Sequence, residues 1–344
     1  MTATTGGLPE PGTAAHAGTA GRTADEEPGT GATARRQATR TWSPTRYAHN
    51  GDVDIAYDRL EGSRGEPLLL VMGLATARFW WPDGLGDAFA DAGFEVVRYD
   101  QRDAGESTRM PETKTGNPFK ALFGRRGEAY TSEDMTDDAV AVMDELGWER
   151  AHVFGHSMGG LIAQRVGLRH PDRVLSVTSS AALPSDVAGL RVLRYLRFGL
   201  LSKLARTKFP EGREGDIEAS LAVWRGVASP GYPFDEEAAR AWVEAEVDSG
   251  PRDKKAQSRQ IGAQWHGARL AELRHPTLVL HGEEDPILKV RAAHATAKAV
   301  RGSRLVTFPG VGHDLPAALW DDVAAEVAAV AALGSGSGSG SGAS

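Results

Sequence analysis

The sequence predicts an α/β fold in which a mostly parallel sheet is covered by helices on both faces. Short apolar runs, such as residues 68–71, 151–154 and 277–280, alternate with segments of helical periodicity. This alternation is typical of βαβ units, which place their strands side by side and parallel. Once the terminal segments are set aside, the chain is long enough to bury one large hydrophobic core.

The two ends of the chain do not have the composition of folded structure. Residues 1–40 consist mainly of Ala, Thr, Gly, Pro and charged residues. Because they have too few apolar side chains to offset the entropy of ordering, we expect a disordered N-terminal segment. Residues 334–344 repeat Gly-Ser, which is typical of an engineered flexible linker and would allow a fusion partner to be attached. Between them we expect a core of residues 41–182 and 266–333, with a cap of residues 183–265.

The cap is predicted from the spacing of two strands. The strand at residues 174–179 is separated from the one beginning at Thr277 by far more chain than the dozen or so residues of a parallel crossover. Helical patterns at residues 190–198, 217–227 and 236–247 occupy this interval. We therefore expect a helical cap that covers the edge of the sheet where the parallel strands end.

Composition excludes several classes of function. The chain has 344 residues, a formal net charge of −7 and no cysteine. This charge gives no electrostatic support for nucleic-acid binding, and without cysteine there is neither a disulfide nor a thiol nucleophile. No apolar run is long enough to span a membrane and no export signal is recognisable, so we expect a cytoplasmic protein. No spacing of His, Asp or Glu predicts a metal site and no phosphate loop is present, so we expect no metal and no cofactor.

The most informative motif is Gly-His-Ser-Met-Gly at residues 155–159, between a predicted strand and a predicted helix. A serine on such a tight turn is lifted out of the sheet, and the pattern is that of a nucleophile elbow. The flanking positions must be glycine because a Cβ would collide with the neighbouring strand or helix. Ser157 is therefore the candidate nucleophile. The Met158 N–H, at a helix N-terminus, is a candidate oxyanion donor, and His156 is expected to line the pocket floor.

A serine hydroxyl needs a neighbouring base, and the base needs an orienting carboxylate. Asp285 lies in the loop after one predicted core strand, and His313 lies in the loop after the next. Serine, acid and histidine in this order along the chain form a known arrangement of the catalytic triad. We predict a triad of Ser157, Asp285 and His313, with Glu283 or Glu284 as the alternative acid.

A second oxyanion donor is expected in the loop that follows the strand at residues 68–71. Gly73 permits an unusual backbone angle there, and we predict that the backbone N–H of Leu74 is the donor. Trp80 and Trp81 follow in the same loop. They are predicted either to form one wall of a substrate pocket or to anchor the loop to the core. Gly73, Trp80, Trp81 and His156 are therefore the candidate substrate-binding residues.

A polar turn at residues 99–107 follows another predicted strand. It is rich in Asp and Arg, and it includes Asp100, Arg102 and Ser107. We expect these three side chains to form one buried network that braces the loops of the active site. This role is structural rather than catalytic.

Together these motifs resemble the α/β-hydrolase superfamily. The resemblance is carried by Met72-Gly73, the Arg-Asp turn, the elbow, Gly282-x-x-Asp285-Pro286 and Gly312-His313, and it runs from about residue 47 to 333. Within the superfamily, the stretch Val71-Met72-Gly73 and Trp81-Pro82 are similar to the aclacinomycin methylesterase-like hydrolases of actinobacterial polyketide pathways. Two features depart from the pattern: many relatives have His-Gly where this chain has Met72-Gly73, and a basic segment follows at residues 114–130.

The resemblance implies an α/β-hydrolase fold and the hydrolysis of a carboxylic ester. We predict a cofactor-free serine hydrolase that acts through an acyl-enzyme on a small-molecule ester, with no nucleic-acid partner. The same triad is compatible with a haloperoxidase or perhydrolase, a lactonase, a thioesterase or a carbon–carbon hydrolase. A non-catalytic ligand-binding protein or a fusion scaffold is the alternative from a different class.

Overall fold

The central sheet is seen in a computed structural model that describes residues 40–111, 129–250 and 255–335. The strands are β1 (Arg46–Asn50), β2 (Val53–Arg59), β3 (Glu66–Val71), β4 (Phe94–Tyr99), β5 (Ala151–His156), β6 (Val174–Ser180), β7 (Thr277–Gly282) and β8 (Arg304–Phe308). They form one eight-stranded sheet in the order β1-β2-β4-β3-β5-β6-β7-β8. β2 is antiparallel to both of its neighbours, and the strands from β3 to β8 are parallel. The predicted mostly parallel sheet is confirmed.

Helices lie on both faces of the sheet and between β6 and β7. They are α1 (Asp83–Asp91), α2 (Ser132–Glu145), α3 (Met158–Arg169), α4 (Gly199–Arg206), α5 (Arg213–Val227), α6 (Glu236–Asp248), α7 (Ala256–Gly262), α8 (Arg291–Ala299) and α9 (Trp320–Ser335). The start of α2 shows how sequence sets such a boundary. The Thr131 hydroxyl accepts the backbone N–H of Asp134, whose carboxylate in turn accepts the N–H of Thr131. This capping box satisfies two N–H groups that the helix itself cannot.

Strand β3 lies at the centre of the core because it is apolar on both faces. Leu69 and Val71 belong to an apolar cluster shared with α2 and α3, whereas Leu68 and Leu70 belong to a cluster shared with α1 and α9. All four side chains are fully buried. A continuous apolar run of this kind is expected for a parallel strand that is covered on both sides, since successive side chains point to opposite faces.

The segment between β6 and β7 contains α4 to α7, and its own apolar cluster is formed mainly by α5 and α6. One sequence expectation is wrong in this segment. Residues 190–198 do not form an α-helix, because a 3₁₀ turn (Gly189–Arg194) is followed by a short stretch that forms an isolated β-bridge, Leu196 with Leu288, and α4 begins only at Gly199. In that stretch the Arg197 N–H donates to the Ile287 carbonyl and the Lys289 N–H donates to the Tyr195 carbonyl, each at 2.7 Å. Pairing with the loop after β7 thus overrides the local helical periodicity.

The terminal segments are described only in part. Helix α9 continues through Ser335, two residues into the predicted linker. Gly334 packs against the backbone of β6 so closely that a Cβ at Gly334 would lie 2.3 Å from the Leu175 carbonyl oxygen. The remainder of that linker, residues 1–39 of the predicted disordered segment and most of the basic segment at 114–130 lie outside the described residues. Within the described residues, every helix is too short or too polar to cross a membrane.

Candidate active site

Ser157 lies on the turn between β5 and α3, at the edge where the parallel strands end. Its backbone is in an unfavourable conformation, with φ 57° and ψ −122°. A Cβ at Gly155 would lie 2.0 Å from the Gly159 carbonyl oxygen, and a Cβ at Gly159 would lie 1.9 Å from the Val71 carbonyl oxygen. Both positions therefore exclude any side chain. The turn is held further by the Ser157 N–H, which donates to the Ser180 carbonyl at 2.8 Å.

The structure brings Ser157, His313 and Asp285 together from three separate loops. His313 Nε2 lies 2.9 Å from Ser157 Oγ, and His313 Nδ1 lies 2.6 Å from Asp285 Oδ2. The other oxygen of Asp285, Oδ1, accepts the backbone N–H groups of Ile287 at 2.7 Å and of Leu288 at 2.8 Å. These two hydrogen bonds fix the carboxylate so that only Oδ2 faces the imidazole.

The electrostatics of this cluster favour a charged carboxylate beside a basic imidazole. Burial alone would raise the pKa of Asp285, but the His313 charge and its hydrogen bond lower it below its usual value. Burial alone would lower the pKa of His313, but the Asp285 carboxylate outweighs this and raises the pKa above its ordinary value. Such opposed shifts are typical of a histidine that serves as a general base next to its orienting acid.

The alternative acids occupy different surroundings. Glu283 and Glu284 are exposed, whereas Asp285 is fully buried. Glu283 accepts a hydrogen bond from the Thr307 hydroxyl at 2.8 Å. Among the described contacts of this loop, His313 Nδ1 bonds to Asp285 alone.

The loop that carries His313 is held by the segment between β6 and β7, a feature that the sequence did not reveal. The His313 N–H donates to the Val227 carbonyl, at the end of α5, at 2.9 Å. Ser229 Oγ accepts the Gly312 N–H at 2.9 Å and also bonds to the Asp314 carboxyl, whose pKa is raised by burial. No local sequence pattern signals these contacts, because they join residues about eighty positions apart.

The two predicted oxyanion donors come from two loops, one that contains Gly73 and one that carries the nucleophile. Gly73 approaches Ser157 so closely that a Cβ at Gly73 would lie 3.2 Å from the Ser157 Cβ. Leu74 follows it, and Met158 begins α3. Among the described residues, neither the Leu74 N–H nor the Met158 N–H has a backbone or side-chain acceptor. Both remain available to a negatively charged oxygen.

The tryptophan pair has two different environments. Trp81 is buried in the core, edge-on to Phe154 with ring centroids 5.4 Å apart. Trp80 instead stacks on Trp224 of α5, with centroids 4.6 Å apart and planes inclined by 22°. The indole N–H groups of Trp80 and Trp224 are buried and find no acceptor among the described residues. Trp81 thus anchors the loop, while Trp80 joins it to α5.

His156 is the last residue of β5 and lies directly before the nucleophile in the chain. Its Nδ1 lies 3.1 Å from Ser180 Oγ, and its ring centroid lies 5.2 Å from that of His313. Burial, with the nearby His313 charge, lowers the pKa of His156 to about 3. His156 is therefore neutral under ordinary conditions. Within the described residues, neither this histidine nor any other takes part in a group of three or more potential metal ligands.

The expectation that Asp100, Arg102 and Ser107 form one buried network is wrong. Arg78 rather than Arg102 pairs with Asp100. The guanidinium of Arg78, which is 1% exposed, contacts Asp100, lies 2.8 Å from Asp58 and lies 2.5 Å from Glu106. The Arg78 N–H also donates to Asp100 at 2.6 Å. In the sequence, Arg78 is the one charged residue of the apolar stretch that includes Trp80 and Trp81. A single charge among apolar residues is the sequence signal from which its buried ion pairs could have been predicted.

Arg102 belongs to a second buried network. It pairs with Asp138 of α2, with both Nε–Oδ2 and Nη2–Oδ1 distances of 2.6 Å. Ser107 joins the first network instead, since its hydroxyl donates to the Asp100 carbonyl at 2.7 Å. The turn after β4 is thus tied both to the loop of Arg78 and to a helix on the sheet face.

Comparison with known proteins agrees with this geometry. The profile of the α/β hydrolase fold family matches residues 66–316. Rhodomycin D methylesterase from Streptomyces peucetius is 30% identical over 307 residues, 83% of this chain and 97% of that protein. The 2-hydroxymuconate semialdehyde hydrolase of Pseudomonas putida is 27% identical over 259 residues, 72% of this chain and 81% of that protein.

Solved structures show the same fold. The esterase RhEst1 from Rhodococcus sp. ECU1013 is similar with a TM-score of 0.60 and 19% identity, covering 85% of this chain and 99% of that one. The meta-cleavage product hydrolase of Pseudomonas fluorescens IP01 also gives a TM-score of 0.60 at 19% identity, covering 85% and 98%. The resemblance to methylesterase-like hydrolases that the motifs indicated is confirmed by the Streptomyces relative. From its sequence profile, sheet topology and relatives, this chain belongs to the α/β hydrolase fold family.

Proposed function

We propose that this hydrolase cleaves a carboxylic ester, with Ser157 as the nucleophile of an acyl-enzyme mechanism. The observation that carries the proposal is the hydrogen-bonded chain from Ser157 Oγ through His313 to Asp285, at 2.9 and 2.6 Å. The similarity to rhodomycin D methylesterase over most of both chains supports an ester as the substrate. Because this relative is named a methylesterase, a small-molecule methyl ester is the type of substrate that we propose for this chain.

In the first half of the reaction, His313 Nε2 accepts the proton of Ser157 as Oγ attacks the ester carbonyl. Asp285 holds the proton on Nδ1, so that Nε2 carries the free electron pair. The same carboxylate stabilises the imidazolium that forms. The negative charge that develops on the carbonyl oxygen is taken up by the N–H groups of Leu74 and Met158.

Each oxyanion donor contributes about 3–4 kcal/mol to lowering the barrier, because it points to the charge without having to reorganise. When the tetrahedral intermediate collapses, His313 returns its proton to the leaving alcohol. Water then attacks the acyl-enzyme with His313 again as the base, and the acid is released from Ser157. The same two N–H groups serve both halves of the cycle.

A carbon–carbon hydrolase is the second candidate function. The observation that favours it is the similarity to 2-hydroxymuconate semialdehyde hydrolase over 72% of this chain. Loss of the dienoate chromophore of a meta-cleavage product would reveal this activity. Cleavage of the dienoate at a rate well above that of any ester would make it the preferred function.

The test of the ester hydrolase uses p-nitrophenyl esters of graded acyl length with the wild type and Ser157→Ala. Ser202→Ala, a serine on α4 with no role in the site, is the matched control. We expect wild-type turnover that persists in Ser202→Ala and falls by about 10⁴-fold or more in Ser157→Ala. Equal rates in the wild type and Ser157→Ala would contradict the mechanism, as would a wild type that fails to react with a fluorophosphonate.

A further inference from the structure

Helix α7, the last before β7, holds the loop that carries the proposed oxyanion donor Leu74. Gln260 on this helix accepts the backbone N–H of Ala75 at its Oε1, at 2.7 Å. Its Nε2 donates to the Arg102 carbonyl at 2.9 Å. The side chain is 3% exposed, so both hydrogen bonds are sheltered from water and each unmade bond would leave a buried polar group.

The hydrogen bond from the Ala75 N–H to Gln260 lies at the residue of this loop whose backbone conformation is unfavourable. Ala75 has a φ of 51°, a conformation that a non-glycine residue keeps only where its surroundings hold it. The Leu74 N–H belongs to the peptide between residues 73 and 74. The peptide before it is held by Gln101, which donates to the Met72 carbonyl, and the peptide after it is held by Gln260. The direction of the Leu74 N–H therefore depends on both glutamines.

The end of α7 is itself rigidly attached to the core. Arg259, next to Gln260, makes a two-pronged ion pair with Asp103, with Nε–Oδ2 and Nη2–Oδ1 distances of 2.8 and 2.7 Å. Both side chains are almost fully buried, and the Tyr130 hydroxyl donates to the same carboxylate at 2.7 Å. Gln260 thus projects from a fixed support, as a residue must if it is to orient another group.

We infer that Gln260 is a positioning residue for the oxyanion hole, acting through Ala75 on the Leu74 N–H. The segment between β6 and β7 would then complete the geometry of the site, because Gln260 belongs to it. This inference rests on the proposed function, since it assumes that the Leu74 N–H stabilises an oxyanion. It adds a residue, distant in sequence and without direct substrate contact, on which the transition state depends.

The test compares Gln260→Met with Gln257→Met. Methionine has nearly the length of glutamine but removes both hydrogen bonds, and Gln257 is an exposed residue on the same helix. For p-nitrophenyl butyrate we expect kcat to fall about 10- to 100-fold in Gln260→Met, and KM to stay within about threefold of the wild-type value. The loss of kcat should be smaller than the loss caused by removing one oxyanion donor completely. Gln257→Met should match the wild type.

Two further readouts separate positioning from a general structural defect. A trifluoromethyl ketone forms an anionic hemiketal with the serine, so its inhibition constant should rise in Gln260→Met by the factor lost in kcat. The acid limb of the pH profile, set by His313, should not move. Thermal unfolding should remain a single transition in both variants, which shows that the enzymes compared are folded.

The inference is overturned if Gln260→Met retains kcat within about twofold of the wild type, or if kcat falls while the affinity for the ketone is unchanged. A displaced acid limb would also overturn it, since that would place the defect at His313. These outcomes leave the proposed function intact as long as Ser157→Ala abolishes turnover. If the wild type hydrolyses no ester, the proposed function fails and this inference fails with it.

Discussion

Replacing Asp285 with asparagine is the most informative perturbation of the proposed triad. In the wild type Oδ1 of Asp285 accepts two backbone N–H groups, from Ile287 and Leu288, and Oδ2 faces His313. In Asp285→Asn the side-chain oxygen must take the position that accepts those two N–H groups. The amide NH₂ then faces His313 Nδ1 and donates to it, because the reverse orientation would set NH₂ against two other donors.

The consequence for the base is a change of tautomer. With Nδ1 as an acceptor, the proton of the neutral imidazole moves to Nε2, which faces Ser157 Oγ at 2.9 Å. An Nε2–H cannot take the serine proton. We expect kcat to fall by about 10⁴-fold, equivalent to about 5.4 kcal/mol at 1.36 kcal/mol for each factor of ten. The fold should tolerate the change, since the amide is nearly isosteric with the carboxylate.

The assay is steady-state hydrolysis of a p-nitrophenyl ester across a pH series. Glu283→Gln and Glu284→Gln are matched controls, since both carboxylates are exposed, and they should retain wild-type rates. The residual activity of Asp285→Asn should also lose its acid limb near neutral pH, because the carboxylate that raises the pKa of His313 is gone while burial still lowers it. A loss in Asp285→Asn of less than about tenfold would refute the assigned acid, and a large loss in either glutamate variant would identify another.

Two other predictions concern charge. In the wild type, kcat/KM should fall as the pH decreases through the pKa of His313. Burial lowers this pKa, but Asp285 raises it more strongly. The midpoint of the fall should therefore lie above the ordinary histidine value of about 6.5. A constant rate between pH 8 and 5 would contradict this. Arg78→Met should lower the free energy of unfolding in urea by about 3–5 kcal/mol, because it leaves the fully buried carboxylate of Asp100 without its guanidinium partner. The exposed Arg191→Met should change it by less than about 0.5 kcal/mol, and a similar effect of both would refute the burial argument.

The sequence predicted the fold class and the three proposed catalytic residues because each depends on a short local pattern. The Gly-x-Ser-x-Gly elbow is a steric requirement within five residues, since a Cβ at either glycine would lie about 2 Å from a backbone oxygen. Asp285 and His313 follow the parallel strands β7 and β8, and parallel strands end at one edge of the sheet. The position of the side chains along the chain thus indicated their position in space.

What the sequence by itself determined is therefore the alternation of strands and helices, the elbow and the order of the proposed triad. The tertiary structure alone decided that Arg78 pairs with Asp100, that residues 190–198 do not form an α-helix, and that Gln260 holds the loop of Leu74. The physical reason is distance along the chain. Gln260 and Ala75 are 185 residues apart, so their hydrogen bond follows from the packing of whole elements and leaves no periodicity in the sequence around either residue.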